Sequence, residues 1–118
     1  MRIAIPVSSK EGLSSSVAQH FGRCPSYAIL NEEGELTEFL DNTSEHNGGQ
    51  GLPPELLRDN NVQVLICHGI GPKALHLCRD FDIVVYVGNR GTADEIFKQW
   101  KERQINPAGD SDVCGSHR

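Results

Sequence analysis

Four side chains with the chemistry of metal ligands fall in or beside segments that read as loops: His20, Cys24, His46 and His68. A neutral imidazole or a thiolate is a good ligand for iron or another transition metal. His20 and Cys24 share the run His20-Phe21-Gly22-Arg23-Cys24, His46 precedes Asn47-Gly48-Gly49, and His68 follows Cys67 directly. Each residue alone has a plainer reading. A loop histidine is usually just solvated, and Cys67 at a strand end reads as a small buried residue. Ligands drawn together from three loops would suit a large, pre-assembled object better than a single ion. Arg23 could pair with an anionic ligand. It could equally pair with the run from Glu32 to Glu45, which has six carboxylates and no basic residue. That run reads as a solvated edge hairpin protected by charge rather than a metal site.

Other chemistries find less support. His76 and Cys78 are two apart on a helical segment, so they point in different directions. Cys114-Gly115-Ser116-His117 offers two soft ligands near the chain end, either a flexible metal contact or simply tail. The absence of any C-x-x-C spacing speaks against a zinc ribbon, a thioredoxin-type pair or a self-contained ferredoxin cluster. Gly69-Ile70-Gly71-Pro72-Lys73 lacks the Walker A spacing, and no G-x-S-x-G elbow occurs. The first strand carries no carboxylate for a two-metal nuclease site. Cys24 near His20 could be a nucleophile and its base, but nothing supplies the third, orienting group.

These residues must be positioned by a small fold. The apolar run Arg2 to Val7 reads as a buried strand, although Pro6 is tolerable there only if the ladder ends near it. Residues 8–25 read as a loop. Ser26 to Asn31 and Glu35 to Leu40 form a hairpin through Glu32-Glu33-Gly34. After a polar, glycine-rich loop, Pro53 and Pro54 open a short helix to Asp59. Val62 to His68 is a strand, Pro72 to Arg79 a helix, and Ile83 to Val87 a strand. Thr92-Ala93-Asp94-Glu95 is a capping box starting a helix that buries Ile96, Phe97 and Trp100. The order β-β-β-α-β-α-β-α predicts an α/β sheet with helices on its faces. Residues 1–105 make one domain and 106–118 a polar tail.

If the first strand points up, the second returns down, and the third, fourth and fifth point up. The loops at 8–25, 41–52, 68–72 and 88–92 then share the upper rim, where open α/β sheets bind ligands. Nine of the twelve glycines lie in those loops, Gly48, Gly49, Gly51, Gly69 and Gly71 among them, with His20, His46 and His68. Glycine amides there could approach an anion closely, and two of the loops feed helix N-termini. Turn geometry alone explains glycine at two or three of these loops. The 118-residue chain carries a net charge of −5, a poor footprint for nucleic acid or an anionic membrane. No apolar run spans a bilayer and no leader pattern opens the sequence, which predicts a cytoplasmic protein with reduced thiols.

The runs Met1 to Val7, His20-Phe21-Gly22-Arg23-Cys24-Pro25, His46 with Gly48, Gly49 and Gly51, and His68-Gly69-Ile70-Gly71-Pro72-Lys73-Ala74 resemble the dinitrogenase iron–molybdenum cofactor biosynthesis family. The resemblance covers roughly residues 1–105, and its most specific parts are the His-Phe-Gly-Arg step and the Gly-Ile-Gly-Pro turn. It implies a three-layer ribonuclease H-like motif with no nuclease activity. Its five-stranded mixed sheet would have order 3-2-1-4-5, strand 2 antiparallel. It also implies a non-enzymatic carrier or scaffold for an iron–sulfur or iron–molybdenum-type cluster, passing between donor and acceptor proteins. Relatives fused to a radical enzyme carry a three-cysteine motif that is absent here, so the chain looks like a stand-alone binding domain. On that reading His20, Cys24, His46 and His68 are the candidate metal ligands. Arg23, Gly48, Gly49, Gly51, Gly69 and Gly71 complete the cofactor-binding set. The competing readings are a phosphate or nucleotide sensor and an interaction module with no ligand.

Overall fold

The computed structural model describes residues 1–42, 52–88 and 91–102. Its elements are β1 (Ile3–Val7), β2 (Ser26–Leu30), β3 (Leu36–Asp41), α1 (Pro53–Asp59), β4 (Val64–Cys67), α2 (Pro72–Asp80), β5 (Val84–Val87) and α3 (Ala93–Lys101). One 3-10 turn, Gly12–Ser14, interrupts the long first loop. The strands form a single sheet in the order β3-β2-β1-β4-β5. β2 is antiparallel to both its neighbours, while β1, β4 and β5 run parallel. This is the expected topology, with strand ends displaced by one or two residues.

Side-chain alternation divides the core into two layers. Ile3, Ile5, Val7, Ala28, Leu30, Val64 and Ile66 pack on the α3 side with Ala93, Ile96 and Phe97. Ala4, Tyr27, Ile29, Leu65, Cys67 and Val85 pack on the other side with Leu57 of α1 and with Leu75 and Cys78 of α2. Strands sandwiched in this way are apolar on both faces, which is why β1, β2 and β4 are buried along their whole length. β3 is one of the two edge strands and alternates more loosely. A register shift opposite Ile29 and Leu30 lets Leu36 and Phe39 face the α3 layer while Leu40 faces the other. The Thr37 hydroxyl fills the gap by donating to the Ile29 carbonyl at 3.0 Å.

Pro6 is accommodated because the β1–β4 pairing covers only Ile3 and Ala4. Beyond that point the segment 16–18 runs beside β1. Ala18 N–H donates to the Pro6 carbonyl, and Ser8 N–H to the Ser16 carbonyl, both at 2.9 Å. A residue's N–H and carbonyl point to the same side of a strand, so the amide hydrogen that proline lacks would face this segment and not β2. The turn between β2 and β3 is held by Asn31, whose side-chain carbonyl accepts from the amides of Glu33 and Glu35. Gly34 completes it at φ +85°, and a Cβ there would stand 2.6 Å from the Phe97 ring. The predicted capping box of α3 is present. Thr92 Oγ1 accepts from Glu95 N–H at 3.2 Å, and Glu95 Oε1 accepts from Thr92 N–H at 2.9 Å.

Candidate functional site

Because β1, β3, β4 and β5 point the same way, the segments leaving them meet along one edge of the sheet. The described parts of this rim are fastened to one another by backbone groups. Phe21 N–H donates to the Gly69 carbonyl at 2.9 Å, which seats the His20 loop against the His68 loop. The Asn42 amide group donates to the carbonyls of Gly22 at 3.1 Å and Cys24 at 2.8 Å, and Asn42 N–H donates to Pro25 O at 2.9 Å. Gly22, at φ +96°, makes the turn between those anchors. The residue after β3 thus pins the far side of the loop that begins after β1.

His68 is half-buried, and its Nδ1 lies 3.2 Å from the Gly88 carbonyl. A carbonyl only accepts, so Nδ1 carries the hydrogen. In the neutral ring Nε2 is then left with its lone pair, the arrangement a metal-binding histidine requires. His20 is exposed on the adjoining loop. Arg23 and Lys73 are also exposed, and neither makes an ion pair or hydrogen bond among the described residues. The other described lysines and arginines are engaged, for example Arg2 with Glu38 and Lys98 with Asp94. Among the described residues, unspent positive charge therefore falls on the two segments that carry the histidines. Lys73 was not singled out by motif, and only its place one residue after the Gly-Pro turn marked it.

Cys24 stands apart from His20 and His68. It is 4% exposed within the layer under α1 and α2, and burial pushes its thiol above the usual range. The structure therefore places it beneath the rim rather than on it, and in this arrangement it is a core thiol. Cys67 is fully buried and donates weakly to the Tyr86 carbonyl at 3.8 Å, as its strand-end reading expected. Gly69 is buried, its carbonyl taken by Phe21, and Gly71 is the N-cap of α2 with no side-chain cap. His46, Gly48, Gly49 and Gly51 lie outside the described residues, as do Cys114 and His117. Among the described residues no three His, Cys, Asp or Glu side chains are grouped to hold a metal ion.

The switch in strand order falls between β1 and β4, the place where open sheets leave a crevice. Here the chain occupies it. The segment 15–18 bonds to β1 on one side. On the other, Val17 N–H donates to Gly91 O at 2.8 Å and Ala93 N–H to Ser15 O at 2.9 Å. What remains is an open cleft of about 650 Å³ lined by Ser8, Ser16, Gln19, Gly91, Thr92 and Glu95. The Glu95 carboxylate already accepts from the amide of Thr92, the N-cap of α3, so a phosphate at that helix end would meet a negative charge. The long first loop was legible as a loop, but its strand-like middle was not.

Comparison with known proteins agrees with this architecture. A protein of Methanocaldococcus jannaschii, named only as uncharacterized, is 32% identical over 111 residues, 89% of each chain. Among solved structures, a Thermotoga protein provisionally named a NifB protein is 28% identical. It superposes with a TM-score of 0.76 over 90% of this chain and 91% of its own. The apo orange protein of Desulfovibrio gigas shares the fold, with a TM-score of 0.79 at 24% identity over 92% of both chains. No described helix is long and apolar enough to cross a membrane. The sequence model of the dinitrogenase iron–molybdenum cofactor family matches residues 1–103, and with the sheet order and the rim motifs in place, the chain belongs to that family.

Proposed function

We propose that the protein is a non-enzymatic carrier or scaffold that holds an iron–sulfur or iron–molybdenum-type cluster at the carboxyl rim of the sheet. The cluster is cargo, received from a donor protein and passed to an acceptor in metallocluster assembly. The observation that carries this reading is the His68 ring, held through Nδ1 by Gly88 with Nε2 left as a ligand, on a loop bonded to the one bearing His20. Unpartnered Arg23 and Lys73 supply the positive charge that an anionic cluster needs. His20 and His68 act as ligands, His46 joins them from its own loop, and amides of Gly48, Gly49, Gly51, Gly69 and Gly71 donate to cluster sulfides. Such hydrogen bonds stabilise and tune metal–sulfur clusters. A reducing, cytoplasmic setting belongs to this reading, and neither nucleic acid nor a membrane does.

The test is anaerobic loading with iron and sulfide, or with isolated iron–molybdenum cofactor, followed by absorption and paramagnetic resonance. The wild type should acquire charge-transfer absorption, and the variant His20→Ala/His46→Ala/His68→Ala should acquire far less at equal protein concentration. Equal loading of the two proteins, or none in either, would sink the proposal.

A further inference from the structure

The two faces of the sheet are covered unequally. α1 and α2 lie over one, while α3 is the only described α-helix packed on the other. Met1 and Val84 are the large apolar side chains left exposed among the described residues, at 52% and 44%. Val84 stands two residues before Tyr86 on β5, so strand alternation puts it on the α3 face. Tyr86 and Trp100, which pack against each other on that face, are themselves only half-buried. β5 is an edge strand, paired with β4 and with no described strand on its outer side. Its sequence Val84-Val85-Tyr86-Val87 carries no charge, proline or bulge, the devices that guard a bare edge. A continuous apolar strip along an unguarded edge marks a surface that is covered by something.

The chain itself continues from this place. α3 runs back from the rim and ends at Lys101, one residue after Trp100, whose ring lies 6.1 Å from that of Tyr86. Arg103-Gln104-Ile105-Asn106-Pro107-Ala108 follows almost at once, and the match to the family's sequence model stops at residue 103. The three residues from Glu102 to Ile105 reach about 10 Å when extended, the scale of the step from the last turn of α3 to the start of β5. The segment opens on a cation, and Asp82, just before β5, is exposed with no ion pair among the described residues. We propose that residues 103–108 fold back over the outer flank of β5 on the α3 face, laying Ile105 on Val84 and setting Arg103 beside Asp82. A second copy of the chain is the rival occupant, but a segment tethered this closely acts at an effective concentration of about millimolar. The contact does not depend on cluster loading, and residues 109–118 are not needed for it.

Trp100 is the only tryptophan in the chain, so its fluorescence reports whether this flank is covered. Ile105→Asp in the full chain should move the emission to longer wavelength and make the indole easier to quench with acrylamide. Shortening the chain to residues 1–102 should do the same, while residues 1–108 should emit like the full chain. In chemical denaturation Val84→Ala and Ile105→Ala should each lower the midpoint, and together by less than the sum of the two, as residues in contact do. Emission unchanged by Ile105→Asp, emission already shifted in residues 1–108, or strictly additive midpoints would overturn the proposal. So would emission and molecular mass that change with concentration in the full chain, the sign of a second copy on the flank. If residues 1–102 do not fold, Ile105→Asp and the paired alanine substitutions still decide the question.

Discussion

The two sides of the sheet are built from different chemistry. The α3 side packs isoleucines 3, 5, 66 and 96 with Phe97, and Trp100 against Tyr86, and also takes in buried Ser26, which stands opposite Val7. Ring contacts at 5.6 Å between Phe97 and Trp100, and at 6.1 Å between Tyr86 and Trp100, tie the last helix to β5 at one edge of the sheet. The side under α1 and α2 holds all three described cysteines and the orphaned Tyr27 hydroxyl. The loops bearing His20 and His68 rise from this second side, since Phe21 and Ile70 beside them pack into it. One layer thus draws its stability mainly from hydrocarbon and holds none of the described cysteines. The other accepts polarisable sulfur and an unpaired donor, a costly choice for a core.

Substitutions should therefore separate stability from loading. The largest effect is expected at Phe97→Ala, which removes a buried ring shared with Gly34 and Trp100 and should cost about 3–5 kcal/mol in chemical denaturation. The surviving folded fraction should load cluster with wild-type stoichiometry. A loss of loading beyond the loss of folded protein would erase the distinction between the sides. Gly34→Ala should follow, at about 1–3 kcal/mol, because φ +85° suits glycine and a Cβ would press on Phe97. His68→Ala should do the reverse. Its midpoint should stay within about 0.5 kcal/mol of wild type, as for other half-exposed positions, while cluster affinity falls about 10- to 100-fold. A large stability loss without a change in loading would assign His68 to structure.

Much of the frame was legible because its signals are local. Uninterrupted apolar runs marked β1 and β4, the two prolines marked the start of α1, and Thr92 with Glu95 marked the start of α3. Parallel pairing then followed from handed crossovers, and with it the shared edge that gathers His20 and His68. What escaped was non-local. Whether Cys24 lies on the rim or under it depends on which way the loop turns after Gly22, and that is decided by Asn42, eighteen residues away. The strand-like segment 15–18 contains two of three consecutive serines, a turn signal, yet it is held extended by partners beside it on β1 and at the start of α3. The bulge at Thr37, which reverses the facing of β3, leaves no mark in composition.

The smallest effect concerns how the first loop is fastened at the rim. Lys10, in the loop after β1, pairs with Asp41 at the end of β3, and this cation holds the Asp41 carboxyl below its ordinary value. Asp41 is fully exposed to solvent, so the pair is screened by salt and its contribution is slight. The sign is still fixed. A carboxyl whose folded value is depressed adds stability at pH above the ordinary carboxylate range, and that increment fades as pH falls through the folded value. Asp41→Asn should remove this part of the acid dependence and leave the neutral-pH midpoint almost unmoved. In wild-type protein at neutral pH, hydrogen exchange at Ser8 and Glu11 should quicken modestly with added salt, and in Asp41→Asn it should be quick already. The amides of Ile96 and Phe97, inside α3 and remote from that pair, should respond to neither change. If α3 loosens together with the first loop, that loop and the helix it is bonded to open as one unit, and the first loop has no mobility of its own with which to admit a cluster.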